Sequence, residues 1–220
     1  MLGAASYHLV THLENGRSVY SFCMCPGGTV VAAASEDGHL VTNGMSEQAR
    51  DAENSNSALL VSVSPEDFPS AHPLAGLALQ KDLERAAFLA GGGDHKAPAI
   101  RMEDFMAGNP PSDPRSVLPS FPRGTRAVSP ESYLPSFITD SLRLAIKDFD
   151  AWMPGFYMPD AMLTGVEARS TSPVRVLRTE GGEAAALRGL YPCGEGAGYA
   201  GGIMSAAIDG ILTAEAMLNG

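Results

Sequence analysis

The stretch Gly189-Leu-Tyr-Pro-Cys-Gly-Glu-Gly-Ala-Gly-Tyr-Ala-Gly-Gly-Ile-Met-Ser-Ala-Ala-Ile-Asp-Gly-Ile-Leu212 carries the strongest pattern in the chain. Gly189 to Pro192 reads as a last short strand, which delivers the chain to the acid Glu195 inside a cluster of glycines; a helix of small residues follows at once. Glycines let a backbone turn tightly and approach a ligand closely, and the free N–H groups at a helix start attract anionic oxygens. Ile203, Ala206, Ala207, Gly210, Ile211, Ala214 and Leu218 recur at helical spacing, which predicts one face of mostly small side chains lying close against a sheet. The glycines could serve only this tight helix-on-strand packing. Six of them between Gly194 and Gly210, flanking one acid, favour a ligand site. Asp209 and Glu215 interrupt the apolar run and argue against a membrane helix.

Composition sets outer limits. The chain has 220 residues, 45% hydrophobic and 18% charged, enough for one large domain or two small ones with a substantial core. A net charge of -10 argues against nucleic acid or an anionic membrane as the main partner, since both need a positive surface. Met1-Leu-Gly-Ala-Ala-Ser-Tyr-His has neither a basic n-region nor a long apolar run, so no signal peptide is expected. Three cysteines are too few and oddly numbered for a disulfide framework, which favours free thiols and a cytoplasmic location.

Outward from the glycine cluster, the N-terminal third reads as β structure. Tyr7 to Leu13, Ser18 to Cys25, Thr29 to Ala34 and Ser57 to Val63 are rich in β-branched and aromatic residues. Glu14-Asn-Gly and Pro26-Gly-Gly separate the first three and Glu36-Asp-Gly follows the third, and a meander of antiparallel strands is the simplest arrangement. A helix is expected from about Leu74 to Ala90, stopped by Gly91-Gly-Gly, with Leu79, Leu83, Ala86, Ala87 and Ala90 on one face. Seven prolines between Ala107 and Pro135 predict a long ordered loop or connection. A second amphipathic helix carries Ile138, Leu142, Ala145 and Phe149 on one side, and strands are expected at Met162–Arg169 and Pro173–Arg178.

Three groups of residues could carry chemistry. In Cys23-Met-Cys-Pro-Gly-Gly, strand alternation would point both thiols to one face, where they could bind a soft metal, form a strained disulfide or fill a core. Zinc would need two more ligands, and His8, His12, His39, His72 and His95 offer no matching pair at metal spacing. The Pro26-Gly-Gly turn suggests amides facing a bound group. Asn43-Gly-Met-Ser and Asn54-Ser-Asn-Ser are turn-forming polar stretches, either local caps or donors to the edge of a planar ligand. Arg169 and Arg175, within Glu167-Ala-Arg-Ser-Thr-Ser-Pro-Val-Arg, could recognise a carboxylate or phosphate, with a Glu167–Arg169 salt bridge as the plainer reading. No Gly-x-Ser-x-Gly, His-Glu-x-x-His or Walker lysine motif occurs.

Tyr20-Ser-Phe-Cys-Met-Cys-Pro-Gly-Gly, Val41-Thr-Asn-Gly-Met-Ser, the stretch from Gly165 to Arg175, and Leu190 to Gly210 together resemble, in the same order, the C-terminal part of a bacterial family of uncharacterised FAD-dependent dehydrogenases. The resemblance implies a flavoprotein related to the glutathione-reductase-like group with two dinucleotide-binding domains. It implies that Glu195 contacts the ribityl or pyrophosphate region of FAD. Gly194, Gly196, Gly198, Tyr199, Gly201, Gly202 and Ile203 would form the turn into the final helix, whose start faces the cofactor. Family members begin with a strand, Gly-x-Gly-x-x-Gly and a helix for the ADP half of FAD; Met1 to Leu60 contains nothing of that form.

The expectation is therefore an α+β (α/β-related) chain: a mostly antiparallel β cap or substrate domain over 1–150, then a return segment over 151–220 with the C-terminal strand and helix of a Rossmann-like FAD domain. The expected function is hydride transfer between flavin and a small organic substrate or NAD(P)H, with Cys23, Cys25, Arg169 and Arg175 as candidate catalytic residues. The rival expectations are a non-catalytic fragment, a half-protein that needs a separate Rossmann polypeptide, and a thiol metal-binding module.

Overall fold

The computed structural model describes residues 9–219. The Tyr7 end of the first expected strand, and His8, lie outside them. The chain divides into two compact units, one of residues 1–64 and 81–168, the other of residues 65–80 and 169–220.

The first unit mixes helices with strands, as an α+β reading requires. Strands β1 (Val10–His12), β2 (Ser18–Cys25) and β5 (Asn56–Val61) form an antiparallel sheet in the order β1-β2-β5. Glu14-Asn-Gly turns β1 into β2 as its chemistry demands: Gly16 has φ +80°, and its N–H donates to the Leu13 carbonyl at 3.0 Å. The simple meander does not form. Strand β3 (Gly28–Ala32) leaves the sheet to pair with β4 (Thr42–Ser46) as a separate hairpin, and β2 takes β5 as its second neighbour. Polar Asn43-Gly-Met-Ser gives no strand signal of its own. It is extended because β3 offers it a full register from Gly28↔Ser46 to Ala32↔Thr42.

A third sheet is centred on β6 (Ala97–Arg101), every residue of which is buried. It pairs in parallel with β7 (Thr125–Ala127) and antiparallel with β8 (Met162–Thr164). Pro98 hides this strand in the sequence, since proline is rare inside a sheet. Its carbonyl is nonetheless used, accepting from Gly165 N–H at 3.0 Å.

Helix α1 (Ala75–Ala90) spans the boundary between the units and stops at the triple glycine. Gly91 N–H donates to Ala87 O at 2.9 Å, and Gly92 and Gly93 both have positive φ. Short α2 (Met102–Ala107) ends on Gly108 at φ +68°. Helix α3 (Ser136–Trp152) begins after Pro135 and buries Leu142, Ala145, Ile146 and Phe149 against Leu9, Val19, Ile100, Met102 and Phe105. A second cluster joins Leu40, Ala87, Ala97, Phe121, Tyr133 and Val166.

The proline-rich loop is tied down by charge. Arg101, 1% exposed, pairs with Glu103 and lies near Asp104 and Asp160. Asp104 accepts from Ser112 N–H and Oγ at 3.1 and 2.6 Å, and Asp160 accepts from Ser116 Oγ at 2.7 Å. Buried guanidinium thus organises acids that in turn hold loop serines.

In the second unit, the strands expected at Pro173–Arg178 and Gly189–Pro192 are absent. A strand needs a neighbour to take its N–H and C=O groups. Among the described residues this unit offers only an isolated bridge between Arg178 and Ala184. Helix α4 (Ile203–Asn219) does form, but no sheet of this unit lies against it among the described residues. The face turned inward carries Ala206, Asp209, Gly210, Thr213 and Ala216, whereas the expected packing positions Ile203, Ile211 and Leu218 are 88%, 60% and 86% exposed.

Phe149→Ala is expected to destabilise the chain by about 3–5 kcal/mol in urea unfolding, because a fully buried ring leaves a cavity. Leu144→Ala, on the exposed side of the same helix, should change stability by less than about 0.5 kcal/mol.

Candidate functional site

The glycine turn that follows Pro192 is fixed from behind by one ion pair. Arg178 Nη2 donates to Asp209 Oδ1 at 2.6 Å and Nη1 to Oδ2 at 3.0 Å, the forked geometry that guanidinium and carboxylate share. Asp209 Oδ2 also accepts from Gly194 N–H at 2.8 Å, so the turn is bonded directly to α4. Arg178 Nη1 reaches the Pro192 carbonyl at 2.9 Å, and Thr213 Oγ1 returns to the Asp209 carbonyl at 2.8 Å. Hydrogen bonds from Arg178, then from Gly194 N–H, hold the Asp209 carboxyl below the ordinary aspartate range.

Tyr199 completes this backing. The Arg178 and Arg175 guanidiniums lie 3.7 and 5.1 Å from the centre of its ring, and its hydroxyl donates to Val176 O at 3.0 Å. Arg175 Nε donates to Gly198 O at 2.9 Å. Gly198, at φ +84°, cannot carry a side chain, because a Cβ would lie 2.4 Å from Val174 O. Gly198 therefore serves the turn itself.

The other side of the turn is open. Glu195 is exposed, and a Cβ on Gly196 would meet nothing within 4 Å. Gly202, directly before α4, has no side chain to accept from the first amides of the helix; its own N–H donates to Ser205 Oγ at 3.1 Å. Ile203 is exposed beside it. The structure thus brings Gly194, Tyr199, Gly201, Gly202 and Arg175 together around one turn, with Arg169 exposed earlier in the same unit.

A second constellation lies in the first unit. The pairing of β2 with β5 passes from Phe22↔Ala58 to Cys25↔Asn56, so three steps on one strand face two on the other, a β-bulge. Cys23 sits on it at φ +47°, a left-handed backbone that non-glycine residues rarely adopt. The bulge breaks the expected alternation: Cys23 is exposed, while Cys25 is half-buried and donates from Sγ to the Cys23 carbonyl at 3.2 Å. A Cβ on Gly44 of β4 would lie 3.6 Å from Cys25 Sγ and 2.0 Å from Asn56 Oδ1. Asn56 Nδ2 is buried with no hydrogen-bond partner. Thr42 N–H donates to Val166 O at 2.8 Å, which places the segment around Glu167 beside β4. Burial raises the Glu167 carboxyl to about 7. Burial, then Glu167 and Cys25, push the Cys23 thiol up.

The Pro26-Gly-Gly amides are bonded within the chain. Gly28 N–H is used by Asn54 O at 2.7 Å and Gly27 N–H by Ser55 Oγ at 3.3 Å, because the 50–55 segment folds over the turn. Asn43 acts locally, accepting from Gly44 N–H, whereas Asn54 Nδ2 donates to the distant Leu118 carbonyl in the proline-rich loop. Among the described residues no three His, Cys, Asp or Glu side chains group as metal ligands.

Residues 1–170 match the family described as FAD-dependent protein, C-terminal domain-like. The chain belongs to that family. An uncharacterised protein of Clostridium beijerinckii is 49% identical over 215 residues, covering 97% of this chain and 40% of the relative. The chain thus spans well under half the length of that relative. The family match ends before the glycine turn, whereas the pairwise similarity to the relative covers nearly the whole chain.

The sequence pattern pointed to Arg175, Glu195 and the glycines as candidates, and did not point to Arg178, Asp209, Asn56 or Glu167. Asp209 gave one signal: an acid amid small apolar residues of a helix must find a partner. Asp209→Ala should speed hydrogen exchange at the Gly194 and Tyr199 amides by about 10-fold or more, as loss of a charged hydrogen bond implies. Since the folded pKa of Asp209 is depressed, its contribution is complete above the unfolded value near 3.9 and is lost as pH falls through the folded value. Protection of Gly194 should therefore fall with pH only below about 4 in the wild type, and be absent throughout in Asp209→Ala.

Proposed function

We propose that the chain is the C-terminal part of a flavin-dependent oxidoreductase, cytoplasmic in location. The region of about 1–150 acts as substrate or cap domain, and 151–220 closes an FAD site whose ADP-binding half lies in a dinucleotide-binding part outside these residues. The observation that carries this reading is the turn at Gly194–Gly202, in a chain of an FAD-dependent family. Asp209 and Arg178 hold it from one side, while Glu195, Gly196 and the glycine-capped start of α4 stay open on the other.

These residues suit a dinucleotide edge. Glu195 can accept hydrogen bonds from ribityl hydroxyls. Gly196 leaves space for close approach, and the amides at the start of α4 favour an anionic oxygen. Gly201, Gly202 and Ile203 complete that edge, with Tyr199 supporting it from the backing side. When bound, FAD supplies hydride exchange with a small organic substrate or with NAD(P)H. Arg169 and Arg175 carry positive charge that would orient an acidic substrate, and Cys23 and Cys25 supply thiols in the first unit.

A partner for α4 is part of the proposal. Ile203, Met204, Ile211, Leu212 and Leu218 leave an apolar face that is more than half exposed, a surface suited to the α/β dinucleotide-binding part, in the same or a separate polypeptide. No helix among the described residues is long and apolar enough to cross a membrane.

The 220-residue chain by itself should purify colourless and leave flavin fluorescence unchanged on titration. Joined to the dinucleotide-binding part, it should retain FAD, and Glu195→Gln should weaken retention by roughly 10-fold, as loss of a charged hydrogen bond implies. Unchanged FAD affinity in Glu195→Gln together with Gly196→Val would overturn the assignment of this turn. Substrate KM unaffected by the double change Arg169→Ala, Arg175→Ala would remove the anchoring role.

A further inference from the structure

Opposite charges three or four residues apart on a helix ordinarily pair. Lys147 and Asp150 of α3 stand at that spacing and form no ion pair. The reason lies in the loop that follows. Asp150 Oδ1 accepts from Gly155 N–H at 3.0 Å and from Tyr157 N–H at 2.9 Å, so its carboxylate draws residues 153–157 back to the helix end. Gly155, at φ +95°, permits the reversal. Asp150 is thereby committed to the loop, and the Lys147 ammonium has no carboxylate partner among the described residues.

The same clip helps to build a cleft of about 370 Å³ lined by Met106, Ala107, Lys147, Asp150 and Tyr157. Tyr157 comes from the clipped loop, Met106 and Ala107 from the last turn of α2, and the two charges from α3. Met106 and Tyr157 both pack against the core cluster that contains Phe149, which anchors the apolar part of the lining. The Lys147 ammonium, the second Asp150 oxygen Oδ2 and the Tyr157 hydroxyl are left without hydrogen-bond partners among the described residues.

We propose that this cleft binds a free α-amino acid with an apolar side chain. Its carboxylate sits on Lys147, its ammonium on Asp150, and its side chain against Met106, Ala107 and the Tyr157 ring. The site goes beyond the flavin reading and does not depend on it, since every lining residue belongs to the first unit and none to the glycine turn.

Charge selects the class of ligand. A simple carboxylate would answer Lys147 but set a second anion beside Asp150, and a simple amine would answer Asp150 but meet the Lys147 ammonium. A neutral apolar molecule would leave both charges unanswered while it excluded water from them. A zwitterion with its two charges on neighbouring carbons answers both at once through charge-assisted hydrogen bonds, and the Tyr157 hydroxyl can donate a further bond to the carboxylate. Size narrows the choice. Ligand clefts run from roughly 300 to 1,000 Å³, and this one lies near the bottom of that range, which suits one amino acid and not a nucleotide. Met106 is unbranched and adaptable, so the apolar end accepts an aromatic or a branched aliphatic side chain.

The test titrates the 220-residue chain with L-phenylalanine and with L-leucine, followed by calorimetry and by the amide resonances of Gly155 and Tyr157. Either amino acid should bind saturably, one molecule per chain, and shift both amides. The analogue of each that lacks the ammonium, and the analogue that lacks the carboxylate, should bind about 10-fold or more weakly, as loss of one charged hydrogen bond implies. Lys147→Met keeps the length of the side chain and removes its charge, and should weaken binding by about the same factor. Asp150→Asn keeps an oxygen for the loop amides and should do likewise, with circular dichroism unchanged. Lys147 is exposed, so its variant stays folded and keeps the test decisive if Asp150→Asn does not fold. No saturable binding of either amino acid, analogues that bind as well as their parents, or unchanged affinity in Lys147→Met would each overturn the proposal. Flavin is absent from the assay, so its outcome and that of the flavin reading are independent.

Discussion

An arginine and an aspartate thirty-one residues apart impose order on the whole C-terminal unit. Among the described residues that unit lacks a sheet, so its irregular backbone must find partners elsewhere. Arg178 supplies them. It bonds Asp209 with both arms, donates to the Pro192 carbonyl and sits over the Tyr199 ring, while Asp209 accepts from the Gly194 amide. One planar, permanently charged side chain thereby fixes the entry to the glycine turn and which face of α4 turns inward.

That choice of face has a chemical consequence. An acid can be buried only with its countercharge, so the side bearing Asp209 and Thr213 turns toward Arg178 and the larger apolar residues remain outside. Helical periodicity described a real apolar stripe. The stripe is simply not the surface that this unit uses, and its exposure fits the role proposed for it as a docking face for a dinucleotide-binding part.

The first unit rests on a different principle. Its helices bury large aliphatic and aromatic residues in two clusters, and β6 runs between β7 and β8 fully buried. Charge again controls the irregular part: Arg101 gathers Asp104 and Asp160, and these hold Ser112 and Ser116 of the proline-rich loop. Local sequence told of α1 through its triple glycine and of α3 through its four-position spacing, since both signals act within a few residues. It did not tell of β6, whose proline disguises it, or of β4, whose polar residues are extended only because β3 pairs with them. The expected strands near the glycine turn failed for the converse reason, since a strand pattern without a neighbour has no ladder to join.

By itself the sequence determined the mixed α+β class, helices α1, α3 and α4, the proline-rich loop, the glycine turn with Glu195 and the family to which the chain belongs. Each is written in short-range chemistry: spacing of apolar residues, backbone freedom at glycine, the fixed φ of proline. Tertiary structure alone decided that Arg178 grips the final helix, and that a bulge in β2 leaves Cys23 exposed and Cys25 half-buried. Those outcomes depend on which distant groups a buried charge or an unpaired backbone amide can reach. That reach is a property of the folded chain and not of any stretch of it.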